Sequence, residues 1–197
     1  MTHIIRLLVL LLSQYLLVGC YKISPLPIGP SIGYFKIDLN GKDWNKTYKS
    51  AYQTVESALI PYSAAYPCIE DHLDVFTELF SPEGYLRQSL YLTKIPKTVG
   101  TNKIIAAPAF HCDEKDPVYS ELITMTQDGD VVGDVYQPLE GADNYLHVEI
   151  YNSTTGEIKG TFKMTMVKTR DGGEPALPDT LRFTNGRFHT RFVREYK

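Results

Sequence analysis

The sequence predicts an all-β chain. It reads as an antiparallel meander of about ten strands, arranged as a β-sandwich or, alternatively, as an up-and-down, lipocalin-like barrel. Three observations carry this. Apolar and polar residues alternate with a period of two in several stretches, the pattern of a strand with one buried face. Asn-Gly pairs and other Gly-, Asp- and Pro-containing breaks separate those stretches at short intervals. Tyrosine, a common strand former, occurs 14 times in 197 residues.

The chain opens on an apolar run from Ile4 to Val18 in which Arg6 is the one charge. At roughly 15 residues it is shorter than the ~20 needed to cross a bilayer as a helix, and it has no polar face of the kind a buried surface helix shows. A weakly basic start, an apolar middle and a small residue before a cut site form a secretory layout. Leu17-Val18-Gly19-Cys20 closes the run and resembles the lipobox of bacterial lipoproteins. The resemblance implies cleavage before Cys20, lipidation of Cys20, and membrane attachment through acyl chains at about 0.8 kcal/mol per buried CH₂. Residues 1–19 are then a signal peptide. Residues 20–32, with Pro25, Pro27, Gly29 and Pro30, form an extended tether that neither helix nor regular sheet accommodates. Residues 33–197 remain as a single β domain. Position 21 is Tyr rather than Asp, and no acidic run follows Cys20. By resemblance, this favours the outer membrane with the domain on the periplasmic side over the cell surface.

The first strand lies in Gly33 to Leu39, where Phe35, Ile37 and Leu39 alternate with Lys36 and Asp38. Asn40-Gly41 is the preferred pair for a type I′ hairpin turn, and Lys42 to Tyr48 returns as partner. Trp44, the only tryptophan, reads as a core anchor under that hairpin. Residues 49–70 carry no clear period; a short helix over Gln53 to Leu59 or a loop fits them. Leu73 to Phe80 is a strand, Ser81-Pro82-Glu83-Gly84 a turn, and Tyr85 to Ile95 the next strand. Pro96 to Pro108 and His111 to Pro117 read as connecting loops. Ser120 to Thr126 and Val131 to Tyr136 flank a turn at Gln127-Asp128-Gly129-Asp130. Tyr145 to Tyr151 and Glu157 to Lys168 flank a turn at Asn152 to Gly156. After a Gly/Pro loop over Thr169 to Pro178, Thr180 to Thr184 and Arg187 to Val193 form a closing hairpin around Asn185-Gly186.

Gly33 to Trp44, Gly156 to Phe162 and Phe183 to Phe188 together resemble small Bacteroidota lipoproteins of unknown function. In these an N-G-K-x-W hairpin opens the domain and a T-N-G-x-F phrase closes it. The resemblance implies a fold and no catalytic residues.

Charge narrows the function classes. The formal net charge of −3 becomes −4 once Arg6 leaves with the signal, and no Lys/Arg stripe supplies a footprint for nucleic acid. With Cys20 lipidated, Cys68 and Cys112 are left as an even pair in an oxidising compartment. They read as a disulfide closing a loop of about 45 residues, on the order of 4 kcal/mol, or else as two buried free thiols.

If they pair, their Cα atoms lie about 5.5 Å apart. That brings Asp71 and His72 beside His111 and Asp113, a His-and-carboxylate set suited to a divalent metal or, on the competing reading, two solvated polar loops. No nucleophile elbow, His-Glu-x-x-His or phosphate loop occurs. Asp128-Gly129-Asp130 lacks the further acids of a calcium loop. Aromatic rings stack on sugars, and Tyr62 and Tyr66 sit in the segment least constrained by sheet packing. Asp179-Thr180-Leu181 resembles the Bacteroides O-glycosylation signal, which would place a glycan on Thr180. The expectation is a lipid-anchored envelope domain that binds a glycan or a protein and needs no cofactor. The alternatives are a metal-assisted envelope hydrolase and a purely structural lipoprotein.

Overall fold

The computed structural model describes residues 32–44, 52–60, 72–106, 118–126, 128–172 and 177–192. The signal segment, Cys20, Tyr62, Tyr66, Cys68, Asp71, His111, Cys112 and Asp113 lie outside the described residues.

The described chain is all-β. Its strands are β1 (Tyr34–Leu39), β2 (Lys42–Asp43), β3 (Tyr52–Ile60), β4 (His72–Phe80), β5 (Leu86–Ile95), β6 (Gly100–Ile105), β7 (Val118–Thr126), β8 (Val131–Pro138), β9 (Tyr145–Asn152), β10 (Glu157–Arg170) and β11 (Thr180–Arg191). All join one sheet in the order β2-β1-β11-β10-β9-β6-β7-β5-β4-β3, with β8 bridging β10 and β7. Pairing is antiparallel except between β6 and β7. The 14-residue β10 holds β9 along its first half and β8 along its second. The gap between β10 and β7 is therefore filled by β9 and β6 at one end and by β8 at the other.

The sheet curls until its ends meet, giving barrel-like closure around one core. Ile32, just ahead of β1, donates its N–H to Val55 O of β3 at 3.0 Å and accepts the Thr190 hydroxyl of β11 at 2.6 Å. Side chains alternate inward on nearly every strand, and the inward set forms one cluster. Each fully buried Leu, Ile or Phe contributes about 2 kcal/mol from apolar burial. Phe35, Phe162 and Phe188 form an aromatic knot with ring centroids 5.2–6.4 Å apart. Gly160 leaves room for it, because a Cβ there would lie 2.7 Å from Phe188 Cζ.

Four expectations are corrected. Tyr52–Ile60 is a strand rather than helix or loop, held along its length by β4. The stretch between Pro96 and Pro108 contains β6, which gains its partners from β9 and β7 rather than from a hairpin of its own. The return strand after Asn40-Gly41 is two residues long before the chain turns at Trp44. Asn185-Gly186 is not a hairpin turn; β11 runs straight through it with a bulge. Asn185 takes φ 56°, and the register shifts on both flanking strands. Asn40-Gly41, by contrast, has φ 50° and 79°, the two positive values a type I′ turn requires.

Candidate functional site

Outward residues of β1 and β11, the buried Phe35 and Ile37 of β1, the residues after the hairpin, and Gln53 and Val55 of β3 line a cleft of about 560 Å³ where the sheet closes. Two local devices build it. The Asn40-Gly41 turn is fastened to β11 by Asn40 N–H to Arg182 O and by Arg182 N–H to Asn40 Oδ1, both 2.9 Å. That fixes where the chain delivers Asp43 and Trp44. The β11 bulge then turns Asn185 outward, and its Nδ2 donates to Asp38 Oδ2 at 2.8 Å.

Trp44 is 1% exposed and forms the floor, as the core anchor the sequence predicts. Its Nε1 donates to Gln88 Oε1 at 2.7 Å, and its ring meets Phe183 edge-on at 6.5 Å. Gln88 is fully buried, and its Nε2 has no hydrogen-bond partner among the described residues. On the wall, Tyr34 is 37% exposed; the Lys36 Nζ lies 5.6 Å from its ring centroid. Lys36 and Arg187 are direct cross-strand partners, both exposed and both in the cleft. Gln53 and Val55 complete it from β3. The arrangement offers one exposed aromatic face, planar amides and carboxylates, and two cations. It can stack against and hydrogen-bond a polar ring.

A second hollow of about 340 Å³ adjoins the first at Gly33 and lies against Glu157, His189 and Arg191. His189 Nε2 donates to Glu157 Oε1 at 2.7 Å, and Tyr34 stands edge-on to the His189 ring at 5.8 Å. Gly33 has no substitute there: it takes φ 95°, and a Cβ would meet the His189 carbonyl oxygen at 2.0 Å.

The strongest electrostatic cluster lies elsewhere. Asp134 on β8 is fully buried. Its Oδ1 accepts Gly172 N–H at 2.8 Å, while Oδ2 receives Lys168 Nζ at 3.0 Å and the Tyr136 hydroxyl at 3.2 Å. Burial pushes the Asp134 carboxyl up. The Gly172 amide, the Lys168 ammonium and the Tyr136 hydroxyl outweigh that and hold it below the usual range. Lys168 is pushed up by its bond to Asp134, and the Tyr136 phenol is raised chiefly by burial and then by Asp134. A lysine kept charged is no nucleophile. The cluster instead fastens the chain between β10 and β11. Tyr136 also reaches Leu177 O at 3.3 Å, and Lys168 reaches Asp179 Oδ1 at 3.3 Å.

Of the sequence-predicted metal set, only His72 is described. It lies at the start of β4 with Nε2 3.4 Å from Asp74 Oδ1, an oxygen that also accepts Lys94 N–H at 3.0 Å. Burial raises the Asp74 carboxyl, against the Lys94 amide and His72. Among the described residues no three His, Cys, Asp or Glu side chains gather as metal ligands. Thr180 is the first residue of β11, half-buried and paired with Val167.

Sequence reading missed Tyr34, Lys36, Asn185 and Arg187 as a group, because β1 and β11 meet across about 150 residues of chain. Their outward alternation was visible on each strand; their adjacency was not. No family model, curated protein or solved structure matches the chain.

Proposed function

We propose that this protein is a lipid-anchored domain of a bacterial outer membrane, facing the periplasm, that binds an oligosaccharide in the cleft between β1 and β3. The cleft carries the reading: about 560 Å³ suits a short saccharide, Tyr34 supplies an aromatic face, and Asp38, Gln53 and Asn185 supply planar hydrogen-bonding groups around it. Such a combination holds sugars by stacking plus directed bonds to hydroxyls. The Leu17-Val18-Gly19-Cys20 motif supports the anchor.

Trp44 is the only tryptophan, so its emission reports the cleft directly. Titration with a panel of oligosaccharides should change that emission saturably. Tyr34→Ala should weaken the responding ligand by about tenfold, a loss of roughly 1.4 kcal/mol. Thr154→Ala, in the exposed β9–β10 turn, should not. A panel without a binder, or binding indifferent to Tyr34, would overturn the reading. Replacement of Cys20 by Ala should release the protein from the membrane fraction; if it stays bound, the anchor is elsewhere.

A further inference from the structure

Two cations in the cleft narrow the ligand class. Lys36 and Arg187 sit directly opposite each other on neighbouring strands, and both are exposed. Like charges in that register repel, and sheets place an acid opposite a base when the pair is merely structural. Here no carboxylate of the described residues lies in ion-pair contact with either cation. Glu149 pairs with Lys159 at 2.7 Å and feels Arg187 only as a weaker, more distant charge, Glu157 pairs with His189 at 2.7 Å, and Asp38 is bonded by the neutral Asn185 Nδ2 at 2.8 Å. Among the described residues, no ion pair neutralises Lys36 or Arg187. The chain as a whole carries −3, so this pair is a local feature and no general basic character explains it.

Resting on the oligosaccharide reading above, we infer that the ligand is an acidic oligosaccharide whose carboxylate or sulfate is held between Lys36 Nζ and the Arg187 guanidinium. A guanidinium presents two parallel N–H donors to the paired oxygens of such a group, and the ammonium adds a point charge from the neighbouring strand. Tyr34, one turn of the pleat from Lys36, offers its face to the sugar ring. Asp38 and Asp43 line the same cleft; a second acid placed there would meet carboxylates, whereas a hydroxyl would find acceptors. The cleft therefore has a polarity, with one acidic unit at Lys36 and Arg187 and a neutral unit beyond it.

The test uses the full-length chain in detergent, read by Trp44 emission and by calorimetry. The probes are matched pairs of one skeleton. Tetragalacturonate is set against its full methyl ester for the carboxylate. A sulfated heparin tetrasaccharide with reduced carboxyls is set against its desulfated, N-acetylated form for the sulfate. At least one acidic probe should bind about tenfold tighter than its neutral partner, with the preference shrinking as salt is raised. Lys36→Gln combined with Arg187→Gln should abolish the preference, so that each acidic probe binds no tighter than its neutral partner. Arg182→Gln, an exposed cation on the same face of β11 outside the cleft lining, should leave the preference unchanged.

Equal binding of acidic and neutral partners would overturn the acidic assignment and leave the oligosaccharide reading standing. So would an Arg182 effect as large as that of the double variant, since attraction would then be diffuse. If no saccharide of either kind binds, both readings fall.

Discussion

At the scale of single residues, the sharpest demand in the molecule is on Asp134. Its carboxylate is fully buried and survives as an anion because three donors converge on it. Removing one partner of a buried pair leaves the other charge uncompensated, so Asp134→Ala should lower unfolding free energy by about 3 kcal/mol. The pH dependence follows from the sign of the shift. The folded carboxyl is held below its ordinary value of 3.8. Its contribution is therefore complete above the unfolded value and disappears as pH falls through the lower folded one. Urea melts of wild type and Asp134→Ala should differ by a constant amount above about pH 5 and converge in stronger acid. A gap that persists unchanged into acid would mean that the carboxylate is not the stabilising group. The loss should come with early exposure of the chain around Leu177, which Tyr136 and Lys168 hold beside Asp134. Gln88 shows the opposite bargain: its amide oxygen fixes Trp44 at the cleft floor, while its buried Nε2 goes without a partner among the described residues.

At the scale of elements, the β11 bulge does the shaping. Asn185 occupies the left-handed region at φ 56°, which costs an ordinary L-residue about 1–2 kcal/mol, and its side chain ties Asp38. Asn185→Ala should therefore cost about 1 kcal/mol or more. Asn185→Gly should recover most of that stability without recovering the bond to Asp38. Paired urea melts and Trp44 titrations separate the two roles, since the Gly variant should fold well and still bind ligand more weakly than wild type. Full binding by the Gly variant would confine Asn185 to backbone geometry.

The same bulge marks how far elements were legible in the sequence. Tyr34–Leu39, His72–Phe80 and Glu157–Arg170 declare themselves because apolar, buried residues recur at every second position, with Thr77 and the end of the longest strand as the exceptions. Asn185-Gly186 misled because the dipeptide that permits positive φ serves a hairpin turn and a bulge equally well. Tyr52–Ile60 was obscure because it mixes Ser, Ala and Glu with apolar residues, and its strand state comes from nine cross-strand partners on β4. β6 was hidden between prolines and is half exposed; its neighbours on β9 and β7 create it. Of the site, Trp44 and the hairpin beneath it were legible, whereas the wall contributed by Asn185 and Arg187 required the pairing of the two ends of the domain.

At the scale of the whole molecule, the contact that brings the two ends of the sheet together also makes the cleft. Most of the circuit is zipped by long ladders, but β3 is joined to the other end through a narrower connection, made by Ile32 ahead of β1 and by Thr190 and its neighbours on β11. Ile32 N–H reaches Val55 O, and the Thr190 hydroxyl reaches Ile32 O while lying 3.5 Å from Ser57 Oγ. Thr190→Val keeps the volume and removes the hydroxyl, leaving the half-buried Ile32 carbonyl without that donor at a cost of about 1 kcal/mol. The loss should be local. Backbone amides of Phe35, Ile37 and Val55 should exchange faster with solvent, while those of Phe162 and Met164, between β9 or β8 and β11, keep their protection. Ligand affinity should fall in the same variant, because a looser seam no longer holds Tyr34 and Arg187 at a fixed distance from Gln53. Uniform acceleration across all strands would show instead that the sheet opens as one cooperative unit, and the cleft would then be as rigid as the core behind it.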